Sequence, residues 1–568
     1  MAGQDKKIAT GGQASIELKP KYYLSNFQHL CDSVTNQYDD LLTVEEKRFL
    51  EEFARLSEAS RCLYIRLISR RGPWFRDTRL AYSEIGPLSA PITELVSEGF
   101  LTQAEELTVE ELGKLFTRDE LQRVFGTELP TPKPTSKGAL LEAITELAWS
   151  DKRHYEIASS VSNDRIIAPL GSDTVALLQL LFFGNRRQSL TDFVLSDLGL
   201  ARYYPYSLAR ALRLFPSREA IEDYQLCGDL SDTYWLYQEL DPSQRDPTFL
   251  IELGEVLCDL EFVYEASSKR WFRLCNRVAR DLERQEQWVL AYKLYGCSKL
   301  HPARERTLRV LEQMEQWEDV RLLVESIKAL PWCEAERDAL RRMEPRLRRK
   351  MGEPAAKRPR QQFAELRLSV TRGSASVEIA VAQALSAQWH EVHYVENTLM
   401  CGLFGLAFWE QIFAPIPGAF NNAFQSVPAD MYEQEFLRRR QTLLEQRLQQ
   451  LELQSLESVL DEAYINFQGY QNRWVSWRYL SRELVAAAAA CIPSEHLLSI
   501  WQRMLFDPGE NRRGFPDLIA FGDEPGDYLM LEVKGPGDTL QESQKRWLRH
   551  FQSEDIPAQV GWVEWCDA

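Results

Sequence analysis

The stretch that most constrains the fold of this chain is GFPDLIAFGDEPGDYLMLEVKGPG, at residues 514–537. Residues 515–521 and 528–533 are two apolar runs of strand length, rich in branched and aromatic side chains. The Gly, Asp, Pro and Glu residues between them, at 522–527, are typical of a tight turn. The sequence therefore predicts a β-hairpin in this part of the chain.

The charged residues of this hairpin are placed where they can act together. Glu532 and Lys534 are two residues apart, so on a strand they project to the same face. Asp517 can approach that face from the neighbouring strand, so two carboxylates and an ammonium converge at the edge of a sheet. Hard oxygen ligands suit Mg²⁺ or Mn²⁺, which can activate water and neutralise charge on a phosphodiester. The lysine can orient or deprotonate that water.

These residues form a short motif, Pro516-Asp517 followed by Glu532-Val533-Lys534, with fourteen residues between the aspartate and the glutamate. Such pairs also arise by chance, and the alternative is an ordinary hairpin with surface charges. Strand-like halves, a tight turn after the lysine and a helix start at SQKRWL favour the motif. It resembles the PD-(D/E)xK nuclease superfamily, and EVKGPGDTLQESQKRWL is similar to the virus-type replication-repair nuclease (VRR-NUC) subfamily.

Length and composition narrow the class of protein. A chain of 568 residues has room for roughly three or four domains. No run of about 18 uncharged apolar residues occurs, so we expect no membrane span, and the first residues lack the apolar core of a signal peptide. The ten cysteines are scattered. Their spacing favours reduced thiols in an intracellular protein over a zinc site or a disulfide framework.

The net charge of −17 means that any attraction to nucleic acid must be local. Residues 337–360 are one candidate, because they hold ten Lys and Arg residues against Asp338, Glu344 and Glu353. The alternative for this segment is a solvated linker.

Residues 1–95 are predicted to form a helical N-terminal region, and residues 96–171 a small DNA-binding module. In the latter, two short helices at 110–115 and 118–125 precede a Pro/Thr/Lys loop. A third helix begins near Ser136, a residue type that caps helix N-termini. This arrangement loosely resembles a SAP-type module.

Two lysines of that module, Lys133 and Lys137, lie beside the predicted helix N-terminus. A helix N-terminus and a lysine both favour contact with backbone phosphate. The alternative is a small helical subdomain with no role in DNA binding.

Residues 172 to about 351 show helical periodicity, broken once at 203–206, and residues 172–362 are predicted to form a helical repeat domain. Successive antiparallel helices with short links suggest tetratricopeptide-like stacking, although no strict 34-residue period can be aligned. Residues 354–360 are the clearest linker, so residues 363–568 are expected to form the nuclease domain. The expected fold is α+β and multidomain, with helical N-terminal and middle regions and a C-terminal α/β PD-(D/E)xK domain.

The resemblance extends beyond the hairpin. Residues 181–206, 395–413 and 513–517 are similar to the Fanconi-associated nuclease family, a set of structure-selective DNA repair nucleases. That family has a SAP module, a helical repeat region and a C-terminal VRR-NUC domain, in the same order as predicted above. The resemblance covers roughly residues 100–568.

The resemblance implies further site residues. Glu396, ahead of the G-L-x-x-W string, would be a metal ligand beside Asp517 and Glu532; the alternative is a simple charge at a helix start. The Val533 carbonyl would add another ligand. Gln544 matches a family glutamine that would position Lys534 or a phosphate.

Three arginines, Arg304, Arg306 and Arg309, stand where the family has an arginine-rich helix near a pocket for the 5′ phosphate. Arginine suits phosphate because its planar fork binds two oxygens. The alternative is a solvated helix face.

The resemblance implies a DNA endonuclease that uses Mg²⁺ or Mn²⁺, acts on branched DNA such as 5′ flaps with 5′-to-3′ exonuclease action, and takes part in interstrand-crosslink repair. Two alternatives remain: a catalytically silent DNA-junction scaffold and a restriction-type nuclease. No Cys/His cluster of the family's ubiquitin-binding zinc finger is seen, which suggests a bacterial or minimal member. We expect a monomer without membrane partners, in the nucleoid if bacterial or the nucleus if eukaryotic.

Overall fold

The computed structural model describes residues 21–70, 72–129, 136–162, 164–190, 201–354, 362–371 and 376–566. It divides into two compact units, residues 1–201 and 202–568. The predicted domain boundaries at 95/96, 171/172 and 362/363 stay predictions. The second of them lies inside the first unit.

The first unit combines helices with a small antiparallel sheet. Its helices are α1 Tyr22–Tyr38, α2 Val44–Arg55, α3 Glu58–Ile68, α4 Ser89–Ser97, α5 Val109–Leu115, α6 Arg118–Phe125, α7 Lys137–Glu146, α8 Asp151–Ser162 and α9 Ser172–Phe183. Its strands are β1 Phe75–Arg76, β2 Leu101–Gln103 and β3 Ile166–Pro169, in the order β1-β3-β2. Helix α9 packs on α1, which ties residues 172–183 to this unit.

Local signals set the helix starts of this unit. Thr43, Thr108 and Thr117 each begin a T-x-x-E string, and each forms a capping box with the glutamate three residues later. Ser136 accepts a hydrogen bond from the backbone N–H of Ala139, as its predicted role as an N-cap requires. The helices predicted at 110–115 and 118–125, and the third predicted to begin near Ser136, are therefore present.

The second unit begins with a short strand and a series of helices. They are β4 Arg202–Tyr203, α10 Arg218–Glu239, α11 Phe249–Asp259, α12 Glu265–Arg284, α13 Trp288–Cys297, α14 Ala303–Gln313, α15 Trp317–Ala329 and α16 Glu334–Lys350. Consecutive helices from α11 to α16 pack against each other. The predicted break at residues 203–206 falls at β4, which pairs with residues 470–471 much later in the chain.

The rest of this unit surrounds a five-stranded sheet. Its elements are β5 Glu365–Thr371, α17 Val377–Leu385, β6 Glu391–Tyr394, α18 Thr398–Ala407, α19 Trp409–Ile412, α20 Glu435–Arg439, α21 Gln441–Leu453, α22 Leu456–Phe467, β7 Tyr470–Gln471, α23 Arg482–Cys491, α24 Ser494–Phe506, α25 Pro508–Asn511, β8 Leu518–Phe521, β9 Tyr528–Lys534, α26 Glu542–Ser553 and β10 Ala558–Cys566.

The sheet has the strand order β5-β10-β9-β8-β6. The predicted hairpin is its centre: β8 and β9 are antiparallel, with Leu518 opposite Leu531. Strand β10 runs parallel to both β9 and β5, which explains why a helix, α26, connects β9 to β10. The first strand of the hairpin starts three residues later than predicted, at Leu518.

Alternating residues of the hairpin bury against different cores, so both faces of the sheet are covered. Leu531 and Val533 join Val381 of α17 and Val563 of β10 on one face. Met530 joins the larger core built around helices α18 to α26. Because both faces are apolar, a charged side chain on β9 has little water around it.

Among the described residues, no single helix is long and apolar enough to cross a membrane. Helices α23 and α24 are long and apolar enough only when they are taken together. The chain bends by 111° between them.

Candidate active site

The two charged residues of β9 share a face, as the alternation of a strand predicts. The ammonium Nζ of Lys534 lies 2.8 Å from the carboxylate Oε1 of Glu532. Both residues are buried, Glu532 with 1% of its surface exposed. They lie at the carboxyl end of β9, the middle strand of the sheet. The sheet edge at which the site lies is therefore the one formed by strand ends.

Asp517 is fixed at the same place by its own backbone and side chain. Its Oδ2 accepts a hydrogen bond of 2.8 Å from the N–H of Val533, across the hairpin. Its carbonyl oxygen accepts bonds from the N–H groups of Val395 and Glu396, at 2.9 and 3.0 Å. Asp517 therefore joins the end of β9 to the turn that follows β6, and it brings Glu396 to the site.

Glu396 occupies an unusual backbone conformation. Its φ is +40°, in the left-handed region that residues other than glycine seldom adopt. The carboxylate accepts hydrogen bonds from the Tyr394 hydroxyl at 3.1 Å and from the Asn397 amide at 3.2 Å. Strain of this kind persists where neighbouring contacts over-determine a residue, and it often marks functional sites.

The carboxylates of the site repel each other in a dry environment. Burial raises the pKa of Glu532 to about 7, with the charge of Asp517 as the second cause; the Lys534 contact opposes both. Burial also raises the pKa of Asp517, and the charges of Glu378 and Glu396 add to that effect. The lysine therefore only partly compensates the acidic groups around it.

Two residues of this environment escape sequence reasoning. Glu378, in the first turn of α17, is near enough to raise the pKa values of Asp517 and Tyr394. Burial raises the pKa of Tyr394 to about 12, followed by the charge of Glu396 and a hydrogen bond to it. No local pattern marks Glu378, because its position depends on the packing of α17 against β6, β8 and β9.

Gln544 links the start of α26 to the site. Its Nε2 donates a bond of 2.5 Å to Glu532 Oε1, the oxygen that Lys534 also contacts. Its Oε1 accepts a bond from the backbone N–H of Gln541, at the helix start. Gly514 allows α26 to approach so closely: its φ is +84°, and an added Cβ would lie 2.6 Å from the Ser543 carbonyl carbon.

The residues present fit a divalent cation. Glu532 Oε2 is buried and has no hydrogen-bond partner within the described ranges. Two neighbouring carboxylates with raised pKa values have the hard oxygen donors that such a cation prefers. No three Asp, Glu, His or Cys side chains of the described residues are gathered closely enough to hold a metal as they stand. Glu532 and Glu396 would therefore have to exchange their present partners.

The residues predicted to contact DNA are placed differently. Lys133 lies outside the described residues. Lys137 is the first residue of α7 and is half-buried, directly after the Ser136 cap. The role of the Val533 carbonyl stays a prediction.

The arginines of α14 are all engaged within the protein. Arg304 forms two hydrogen bonds to Glu336, at 2.9 and 2.5 Å. Arg306 forms a two-point pair with Glu283, and Arg309 pairs with Glu305, one helical turn earlier, at 2.9 Å. Their proposed contact with a 5′ phosphate stays a prediction, and it would have to compete with these carboxylates.

Comparison with known proteins adds to this geometry. Three family models match the chain: "FAN1, HTH domain" at residues 21–102, "Fanconi anemia-associated nuclease SAP domain" at 106–156 and "VRR-NUC domain" at 452–565. The Fanconi-associated nuclease 1 homolog of Pseudomonas aeruginosa is 35% identical over 554 residues, which cover 96% of each chain. The chain belongs to the Fanconi-associated nuclease 1 family.

Other members of the Fanconi-associated nuclease 1 family are more distant. The Arabidopsis thaliana homolog is 25% identical over 96% of this chain, and the human protein 23% identical over 95% of this chain and 62% of its own length. A crystal structure of paFAN1 bound to a 5′ flap DNA with a two-nucleotide flap and a gap superposes with a TM-score of 0.79. It is 34% identical and covers 97% of this chain and all of that one.

Membership of the Fanconi-associated nuclease 1 family confirms the predicted fold class and the predicted SAP and VRR-NUC domains. It also identifies the chain as a member of a nuclease family that acts on DNA. The helix-turn-helix module within residues 21–102 was missing from the sequence prediction, which gave residues 1–95 only as helical.

Proposed function

We propose that the chain is a metal-dependent, structure-selective DNA endonuclease that cleaves 5′ flaps and degrades DNA in the 5′-to-3′ direction. The observation that carries this proposal is the buried contact between Glu532 and Lys534 beside Asp517. The relative bound to a 5′ flap supports the substrate class. A role in interstrand-crosslink repair follows from the family only.

Asp517, Glu532 and Glu396 would hold one or two Mg²⁺ or Mn²⁺ ions, with the Val533 carbonyl as a further ligand. When bound, the metal would supply an activated water and neutralise charge on the cleaved phosphodiester. Lys534 would orient that water for in-line attack, since its ammonium is held by Glu532 at 2.8 Å. Gln544 would keep Glu532 in position through its bond from the start of α26.

The apolar surroundings contribute to the chemistry. The sheet end excludes much of the water that would otherwise weaken electrostatic interactions. Trp547 of α26 stacks on Phe515 with ring centroids 4.1 Å apart, and its indole N–H donates to the Arg513 carbonyl. These contacts hold the segment that leads to Asp517.

The helix-turn-helix and SAP modules would bind duplex DNA, so that the acidic protein attracts its substrate locally. An intracellular location, in the nucleoid or the nucleus, agrees with such a substrate. We retain the prediction of a monomer.

The rival function is a DNA-junction scaffold without catalysis. A panel of labelled 5′-flap, 3′-flap and blunt duplexes, each with and without a 5′ phosphate, separates the two. We expect cleavage of the 5′ flap with Mg²⁺ or Mn²⁺ and none with EDTA. Binding of every flap without divalent-dependent cleavage would establish the scaffold. Faster cleavage of the 3′ flap would contradict the proposed polarity.

A further inference from the structure

A pocket of about 330 Å³ opens between α16, α24 and α26, apart from the carboxylate site. We call it the arginine pocket, because its wall includes Arg337 and Arg341 of α16, Arg503 of α24, and Arg546 and Arg549 of α26. Two of these arginines come from the basic segment at residues 337–360. That segment is thus not simply a solvated linker at its amino-terminal end.

The carboxylates around the pocket are shared between several arginines. Glu334 is 2.8 Å from Arg503 and 3.4 Å from Arg337. Asp338 contacts Arg341 at 3.3 Å, and it also contacts Arg546 and Arg549, at 3.4 and 3.5 Å.

Glu510 adds one more contact, 3.0 Å from Arg546. Five arginines thus share three carboxylates, and the charge of Glu542 also acts on Arg549. Arginine cannot lose its proton in a protein, so this local positive charge persists at any ordinary pH.

Some guanidinium nitrogens at the pocket lack partners. Arg503 Nε and Arg546 Nη1 are out of contact with solvent and have no hydrogen-bond partner in the described part of the chain, and Arg546 Nε has only the 3.4 Å ion-pair contact with Asp338. Buried donors without partners are costly, and charged ones more so. The positive charge in the wall of the pocket is therefore incompletely compensated by hydrogen bonds within the described part of the protein.

Burial and the arginine charges act in the same direction on two groups at the pocket. Burial lowers the pKa of His550 to about 4, and the charge of Arg503 is the second cause. Burial also lowers the pKa of Arg503, with the charges of Arg337 and Arg546 adding to that effect and Glu334 opposing it. An anion in the pocket would relieve this repulsion.

The two outer arginines give an anion access. The side chains of Arg337 and Arg341 are 40% and 45% exposed, and the Arg337 guanidinium is braced over the Phe506 ring at 3.7 Å. Several planar guanidinium groups that line one cavity suit an anion with several oxygens, such as phosphate.

We propose that the arginine pocket is a phosphate-binding site separate from the metal centre, with Arg337 and Arg341 as its accessible ligands. This binding site goes beyond the proposed function, because phosphate binding there does not require the protein to cleave DNA.

The phosphate could come from two sources: the backbone of bound DNA or free inorganic phosphate. Gln544 and Arg549 are five residues apart on α26, or about 7.5 Å along its axis. A backbone phosphate of the same DNA molecule therefore remains within reach of the pocket.

The first arm of the test uses inorganic phosphate. Binding to metal-free protein in EDTA is measured by calorimetry, with acetate as a probe of non-specific anion binding. We expect phosphate to bind the wild type and to bind the double variant Arg337→Gln/Arg341→Gln at least about tenfold more weakly. The matched control is Arg482→Gln, which removes a half-exposed arginine paired with Asp461 elsewhere in this unit.

The second arm identifies the source. Anisotropy with a labelled 5′ flap, also in EDTA, gives the affinity at several salt concentrations. If the pocket takes a DNA phosphate, the double variant should bind more weakly, and its slope of log K against log salt should fall by roughly one unit per lost contact. Unchanged DNA binding together with lost phosphate binding would assign the pocket to free phosphate.

Two results would overturn the proposal: no phosphate binding by the wild type, or equal phosphate binding by the wild type and the double variant. In either case the arginines only join α16 to the nuclease helices. If the double variant failed to fold, the single exposed change Arg341→Gln would be measured in the same way. Because neither arm involves cleavage, failure of the proposed nuclease activity would leave this outcome readable.

Discussion

The carboxylates at the end of β9 and the arginines of α14 are both clusters of like charge. They differ in how far neighbouring side chains neutralise them. Each arginine pairs with its own glutamate, for example Arg304 with Glu336 and Arg306 with Glu283; of the three, Arg309 keeps a buried Nε without a hydrogen-bond partner among the described residues. Glu532, in contrast, shares a single lysine with the neighbouring Asp517 and keeps one oxygen without a partner among the described residues.

This difference separates a structural cluster from a functional one. Charged side chains that pair with opposite charges in the protein hold helices together. Buried charged side chains without enough opposite charge nearby imply a bound ion or ligand that neutralises them. We therefore expect substitutions in the carboxylate cluster to change chemistry and those in α14 to change stability.

The strongest test of this contrast is the loss of one carboxylate. Asp517→Ala or Glu532→Gln should abolish cleavage, because each removes a metal ligand, while flap binding measured by gel shift is largely kept. Glu524→Gln, in the exposed turn of the same hairpin, is the control and should cleave normally. Near-native cleavage by Asp517→Ala would refute the assignment of the metal site.

Lys534→Ala should reduce the cleavage rate by on the order of 10²-fold or more, the usual scale for groups that handle protons in catalysis. Metal binding, followed by calorimetry, should persist because the carboxylates remain. If metal binding disappeared together with activity, the lysine would be holding Glu532 in place and would have no separate part in the chemistry.

Glu396→Gln keeps a side chain that can bond to Tyr394 and Asn397 but removes the charge. As a metal ligand, Glu396 should be worth at least the roughly 10–100-fold in rate that residues bonded to a metal's ligands contribute. A higher Mn²⁺ concentration should restore part of the loss. If Glu396 were only a charge at a helix start, glutamine would cost little and the metal titration would be unchanged.

Arg306→Gln should act on stability and leave the chemistry alone. It leaves Glu283, whose side chain is 10% exposed, with the Tyr295 hydroxyl as its remaining partner, and losing a hydrogen-bonded contact to a charged group costs about 1.5–3 kcal/mol of unfolding free energy. The double variant with Glu283→Gln should recover much of that loss in a denaturant titration. A lower preference for 5′-phosphorylated flaps without a loss of stability would favour the 5′-phosphate role for this helix.

The smallest effect concerns pH in the absence of metal. The pKa of Glu532 is raised from 4.5 to about 7 in the folded protein, so its protonated form favours folding. That contribution is complete below pH 4.5 and is lost as the pH rises through about 7. Thermal unfolding in EDTA should show this decline, and Glu532→Gln should flatten it. An equally steep decline in the variant would assign the effect to other groups.

Local patterns predict much of the fold and part of the site. The hairpin, the face shared by Glu532 and Lys534, and the Ser136 cap each depend on residues close in sequence. Strand β5 was within reach as well, since ELRLSVT alternates apolar and polar residues, but the prediction does not include it.

What the sequence does not give are contacts between distant segments. Glu378 reaches the site only through the packing of α17 on the sheet. The glutamates that neutralise Arg304 and Arg306 lie 32 and 23 residues away along the chain. The arginine pocket likewise combines three helices, so neither its charge nor its shape can be read from any one of them.

Gly514 belongs to the set of residues that the geometry of this site requires, although it lies before the Pro516-Asp517 motif. A side chain there would collide with the backbone at the start of α26, and that helix start carries the glutamine bonded to Glu532. A search string that begins at Pro516 therefore omits a residue on which the active geometry depends. A redesign that grafts the four charged groups onto another sheet would have to transplant the small residue as well, together with the helix that rests on it.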